Sequence, residues 1–177
     1  MKKLLFASLA AAAAMCITSC NGGNENNNAS NNDNDTTTVY QSDINEANGK
    51  AFIEKKLAED SSYIQTESGL VYKVLAPGKG ENFTENDVVM TRYKGTHVDG
   101  RLFDDGGGQP QEFSCGRVIP GFAEMLLLMK PGMKVEAIIP SQLAYGAQGV
   151  KDPNTGEEVI GANETLIFEM ETIEKKQ

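Results

Sequence analysis

The chain has 177 residues, with 16 Lys and Arg against 25 Asp and Glu, for a formal net charge of −9. So acidic a balance argues against nucleic acid as a partner, because a phosphate backbone is held by clustered cations. One histidine and three cysteines leave little material for a His-rich metal centre or a disulfide scaffold.

In chain order, residues 1–19 read as an export signal peptide. Lys2 and Lys3 make a basic start, and Leu4 to Met15 is an alanine-rich apolar run too short for a comfortable membrane span. The run ends in "ITSC", Ile17 to Cys20, which resembles the bacterial lipobox. That resemblance implies cleavage before Cys20 and lipidation of Cys20. The product would be a lipid-anchored membrane protein of the cell envelope, with its domain in the periplasm. The alternative is an ordinary secretory peptide with a coincidental cysteine. Cleavage removes Lys2, Lys3 and Cys16 and leaves about 158 residues with a net charge of about −11. Cys115 is then the one thiol free of the anchor, so no internal disulfide can form. It reads as a small core residue.

Residues 20–43 form an asparagine-rich stretch with almost nothing apolar, expected to be a disordered, flexible tether. Residues 44–65 carry Ala51, Phe52, Ile53 and Leu57 at helical spacing and predict a short leading helix. It could pack on the domain, mediate dimer contacts or sit free. Residues 66–177 hold the domain proper. "GLVYKVL" (Gly69–Leu75) and "DVVMTRYKG" (Asp87–Gly95) alternate as strands do, and "HVDGRLF" places Asp99-Gly100 between strand-like flanks, a hairpin signal. "KVEAIIP" (Lys134–Pro140) and "TLIFEMETI" (Thr165–Ile173) are further strands. In the last, Leu166, Phe168 and Met170 share one face while Glu169 and Glu171 take the other, which predicts one buried and one wet face.

Among these strands lies one helical stretch, "RVIPGFAEMLLLMKPG" (Arg117–Gly132). Pro120 suits a first helical turn. Phe122, Met125, Leu126 and Met129 recur at helical spacing, and Pro131-Gly132 ends the run. The expected fold is α+β: an antiparallel five- to six-stranded sheet wrapped around one short helix.

Four stretches then carry a resemblance: "VVMTRYKGTHVDGRLFDD", "VIPGFAEMLLLMKPG", "LAYGAQG" and "TLIFEMETI", in that order. Over about Ser68 to Glu174 the chain resembles the FKBP family of peptidyl-prolyl cis-trans isomerases. The resemblance implies an FKBP-like fold and catalysed rotation of X-Pro bonds in proline-containing, exported polypeptides. It also implies inhibition by the macrolides that fill FKBP pockets, and no cofactor or metal. Carried over by motif, the catalytic positions are Tyr93 in "RYKG", Asp104 in "LFDD", Tyr145 in "AYG" and Phe168 in "LIFE". The substrate-binding positions are Phe103, Val118, Ile119, Phe122 as the pocket floor, and Ile160 in the late loop. The leading helix is similar to the extension of bacterial members that dimerise but is shorter, which leaves a weak homodimer open.

The chain also departs from the family pattern. Phe122 stands where many members have tryptophan. Gln111 stands where some have phenylalanine, which predicts a more polar wall. The late loop, "GVKDPNTGEEVIGANETL", is longer than usual and carries Gly161 and Ala162 in place of prolines. "DDGGG" (Asp104–Gly108) lacks the lysine of a phosphate loop, and "DPNTGEE" (Asp152–Glu158) lacks full calcium-ligand spacing. His97, without a second histidine, is expected in a solvated loop. A reading from another class keeps the fold and drops the rate: a chaperone or binding module that grips apolar segments. Loss of turnover in a folded domain would separate the two.

Overall fold

A computed structural model describes residues 40–176. The signal segment, Cys20 and nearly all of the tether lie outside the described residues. The described chain opens with helix α1 (Gln41–Glu59). There follow β1 (Ile64–Gln65), β2 (Val71–Ala76), β3 (Val88–His97), β4 (Leu102–Asp104) and β5 (Gln111–Ser114). Helix α2 (Pro120–Leu128), β6 (Lys134–Ile139), β7 (Val150–Lys151), β8 (Glu158–Ile160) and β9 (Leu166–Lys176) complete it. No described helix is long and apolar enough to cross a membrane.

The expected antiparallel sheet over one short helix is present. With its short edge strands counted, the sheet has seven strands in the order β1-β2-β6-β9-β3-β4, and β5 also pairs with β3. The late loop is not structureless: β7 and β8 form a separate two-stranded hairpin. Asp152, in its turn, accepts from the amides of Asn154 and Thr155, so this acidic run closes a turn.

The longest pairing decides which residues meet. Strand β3 runs against β9 so that Tyr93, Gly95 and His97 face Met170, Phe168 and Leu166. Strand β6 brings Val135, Ala137 and Ile139 to the same three residues. Side chains alternate across a sheet, so these nine residues share one face. Helix α2 lies on that face and buries Phe122, Met125 and Leu126 there. Each such side chain contributes about 1.5–3 kcal/mol on leaving water. The helix forms where it does because Pro120 presets its first turn, and it ends before Pro131-Gly132. Cys115 joins this core, and burial pushes its thiol above the usual cysteine range, which fits packing and not reactivity.

The opposite face differs from the expected wet surface. Helix α1 covers part of it, with Ile53 buried against Val71 and Ile138 and with Phe52, Leu57, Tyr63 and Ile167 around them. Ala51 points to solvent instead. The helix begins at Gln41 and stops at Glu59, and Ile64–Gln65 of the leading segment belong to a strand. Polar contacts fasten it. Lys56 Nζ donates to Glu136 at 3.3 Å, the Tyr63 hydroxyl donates to the same carboxylate, and Lys73 pairs with Asp60 at 2.6 Å. Gly49 lets α1 approach closely, since a Cβ there would run into Thr165 Oγ1.

A second glycine is required inside the sheet. A Cβ on Gly95 would lie 2.5 Å from Cζ of Phe103 and 2.9 Å from Cε1 of Phe168. Both rings occupy the space that the missing side chain leaves. Gly95→Ala is expected to push them outward and cost about 1–3 kcal/mol of overpacking, read as a lowered Tm in thermal unfolding. Ile53→Ala should loosen α1 and cost about 2–3 kcal/mol in urea unfolding. An unchanged midpoint would mean that α1 contributes nothing to the domain.

Candidate active site

The site is built at a break in one sheet edge. Strand β3 pairs with β5 along Val88–Thr91 and with β4 at Gly95 and Thr96. Between them the chain leaves the sheet at Asp104 and returns at Gln111 through the Gly106–Gly108 turn. Tyr93 sits in the gap, paired with β9 only. Adjacent residues Gly95 and Thr96 pair with Asp104 and Leu102, so Phe103 is the extra residue of a bulge. A bulge re-aims the side chain it carries. Phe103 turns toward Phe168, and Asp104 is left at the rim.

The result is a cup of about 350 Å³. Phe122, from the first turn of α2, forms its floor and stands 5.4 Å from Phe168, 4.9 Å from Phe113 and 6.1 Å from Tyr93 between ring centroids. Phe103 and Phe168 meet edge to face at 5.6 Å. These edge-to-face and tilted pairs fit the quadrupoles of the rings and hold the walls in place. Val118 and Ile119 line the approach to α2, and Arg117 and Tyr145 stand at the mouth. Other grooves are as large. One of about 510 Å³ beside α1 is lined by Asn45, Asn48, Lys55, Asp99 and Arg101 among others. The choice rests on lining: an apolar floor with a few converging polar groups is what a small apolar ligand group requires.

Two polar features mark the rim. The Tyr93 hydroxyl donates to Asp104 Oδ2 at 2.6 Å, and the Gly106 amide donates to Asp104 Oδ1 at 3.1 Å. Burial, then the bonded carboxylate, push the Tyr93 phenol well above its ordinary range, so it stays a donor. Burial also raises the Tyr145 phenol, with the Asp104 charge adding to it. The Tyr145 hydroxyl and the Ile119 amide donate to no other group among the described residues. Both residues line the cup. No cluster of three or more metal-ligating side chains occurs among the described residues.

Of the positions expected from the sequence, Tyr93, Phe103, Asp104, Val118, Ile119, Phe122, Tyr145 and Phe168 come together around the cup. Ile160 does not. It pairs with Val150 and is buried in the main core, because the alternation of β8 turns it inward. Gln111 does not form a polar wall. It lies exposed on β5 and donates to the Gly106 carbonyl, while Phe113, two residues on and on the opposite-facing side of the strand's alternation from Glu112, supplies an aromatic wall. Phe113 and Arg117 were missed. The signal for Phe113 was the short alternation in "QEFS", which pairs Val89 with Phe113. His97 is not in a solvated loop: it ends β3 and is 5% exposed, with Nδ1 2.5 Å from Glu164 Oε1.

Comparison with known proteins agrees with this geometry. The family model described as FKBP-type peptidyl-prolyl cis-trans isomerase matches residues 79–173. The chain is 40% identical over 134 residues to the FKBP-type peptidyl-prolyl cis-trans isomerase FkpA of Escherichia coli K12, covering 75% of this chain and 47% of that protein. It is 37% identical over 139 residues to the outer membrane protein MIP of Legionella longbeachae, covering 77% of this chain and 57% of that one. The chain thus spans about half the length of the curated relatives it matches. A crystal structure of a peptidyl-prolyl cis-trans isomerase from Pseudomonas syringae pv. tomato superposes with a TM-score of 0.69 at 31% identity, covering 79% of this chain and 99% of that one. By sequence and by architecture, this chain belongs to the FKBP-type peptidyl-prolyl cis-trans isomerase family.

Proposed function

We propose that the chain catalyses cis–trans isomerisation of X-Pro bonds and so assists the folding of exported proteins. The observation that carries this reading is the cup itself: an aromatic pocket with two free donors and a tyrosine-bound carboxylate at its mouth. An X-Pro amide rotates slowly because resonance resists twisting, with a barrier of roughly 18–20 kcal/mol. Uncatalysed exchange therefore takes tens to hundreds of seconds. Resonance is lost in the twisted amide, and its carbonyl carries less negative charge. Water solvates the planar, more polar form better and holds the twist back.

The cup reverses that preference. A proline ring set on Phe122 between Phe168, Phe113 and Tyr93 leaves water behind. The Ile119 amide donates to a substrate carbonyl, and the Tyr145 hydroxyl donates to a second acceptor. Asp104, through Tyr93, fixes the rim that faces the reacting amide. Interactions that strengthen on twisting lower the barrier, and those equal in both states only bind. A reduction of about 5–8 kcal/mol would make the reaction fast on a folding timescale. Macrolides that present a ring and two carbonyls in this shape should compete for the same cup.

The chain is further proposed to be lipidated at Cys20 after removal of residues 1–19, with 20–43 as tether and 66–177 as the isomerase domain in the periplasm. Support comes from the "ITSC" stretch and from a relative that is named an outer membrane protein. Helix α1 packs on its own domain through Ile53, so a homodimer, if formed, would use other surfaces.

Purified protein should accelerate a protease-coupled assay on short X-Pro peptides, with inhibition by an FKBP-directed macrolide. Asp104→Val is expected to lower kcat/KM about tenfold or more, roughly 1.4 kcal/mol of lost transition-state stabilisation, with the fold retained by circular dichroism. A folded wild type that binds proline peptides without turnover would establish the binding-module reading instead. In cells of the source bacterium, Cys20→Ala should abolish incorporation of a labelled fatty acid. Labelling that persists would place the lipid elsewhere or remove the anchor from the account.

A further inference from the structure

The late segment Gly161–Thr165 reaches three separate parts of the site through two residues. Glu164 is the first. Its Oε1 accepts from Nδ1 of His97 at 2.5 Å, and its Oε2 accepts from the Gly161 amide at 2.8 Å. Both side chains are largely buried, at 7% and 16% exposed. Asn163 is the second. It takes a left-handed conformation, φ 56°, and its amide donates to the Gly146 carbonyl at 2.8 Å, next to Tyr145.

His97 carries this linkage to the cup. Its ring meets Phe103 edge to face at 5.3 Å, and Phe168 also meets Phe103 edge to face at 5.6 Å. Phe103 lies in the bulge of β4, where the regular ladder does not hold it. Its orientation therefore depends on its packing against His97, Phe168 and Gly95. The Gly161 amide ties the same carboxylate to the end of β8 and so to the late hairpin.

We infer that His97 and Glu164 are a positioning pair that sets substrate preference by fixing Phe103, the late hairpin and the Tyr145 turn relative to one another. Neither touches the proline ring. With the ring on Phe122, the residues flanking the proline must lie across the rim, where Phe103 and Tyr145 stand. A rim held by these hydrogen bonds accepts a narrow range of neighbours to the proline. The inference rests on the isomerase reading for its consequence, though the positioning itself can be observed without turnover.

The test uses Glu164→Gln and His97→Leu, singly and together. The first keeps shape and removes the charge. The second fills the volume and cannot bond Glu164. Two measurements are made on purified protein. The first is kcat/KM over a peptide panel with leucine, alanine, lysine or glutamate before proline. The second is the NMR spectrum of ring-labelled Phe and Tyr, with Phe103 and Tyr145 assigned. Each single variant should change the ratio of kcat/KM between leucine and glutamate peptides at least threefold. It should also shift both Phe103 and Tyr145 resonances. The double variant should match the more affected single, because the two residues act as a unit. A fall by one common factor for every peptide, or unmoved resonances at a lowered Tm, would leave the pair merely structural and overturn the proposal. An inactive wild type would fail the isomerase reading alone, and the resonances would still decide whether the pair positions the rim.

Discussion

The pairing of β3 with β9 is the constraint on which the rest depends. It joins residues some eighty positions apart and places Tyr93, Gly95 and His97 across from Met170, Phe168 and Leu166. Because side chains alternate, a slip of β9 by one residue would turn Met170, Phe168 and Leu166 to the other face. The cup would then lose Phe168 to the side that α1 covers. Register is held because both faces are specified: α2 demands the aromatic and aliphatic set, and α1 demands Val71, Ile138 and Ile167.

The site is not an addition to the core but its open end. Phe122 and Phe168 are buried side chains of the main core, and the same two rings form the cup. Stability and shape are therefore supplied together, and the cup needs little rearrangement to receive an apolar ring. The polar groups are kept to the mouth. Asp104 remains at the surface, where water and the Tyr93 hydroxyl both reach it, and an unpaired carboxylate deep in this pocket would be costly. Chemistry that relies on desolvation calls for this arrangement, in which walls are dry and donors are few.

The regions outside the family motifs behave as supports. Helix α1 closes the back of the sheet and contacts the late segment, where Asn45 Nδ2 donates to the Ala162 carbonyl at 2.9 Å. Glu164 holds the same segment from the front. Gly161 makes this possible, since a proline at 161 would have no amide to offer Glu164. The late loop is shaped by a hairpin and by these bonds.

Much was legible in the sequence because it is local. Alternation in "KVEAII" and "LIFEMET", the apolar spacing of Phe122, Met125 and Leu126, and Pro120 at a helix start each act within a few residues. They determined the strands, the central helix and the α+β class. The ordered motifs identified eight residues that do meet at the cup. Most of the differences are matters of strand pairing. His97 is buried at the end of β3 by Glu164, 67 positions later in the chain. Gln111 shares its side of β5 with Phe113, but it is exposed and bonded to the Gly106 carbonyl, and Phe113 supplies the wall. Ile160 is turned into the core by the pairing of β8 with β7. What covers the second sheet face was likewise open, because α1 was equally able to lie free by its own pattern. By itself the sequence determined which segments fold and which chemistry they carry. Only the tertiary structure decided which face each side chain joined, because that depends on the register between strands far apart in the chain.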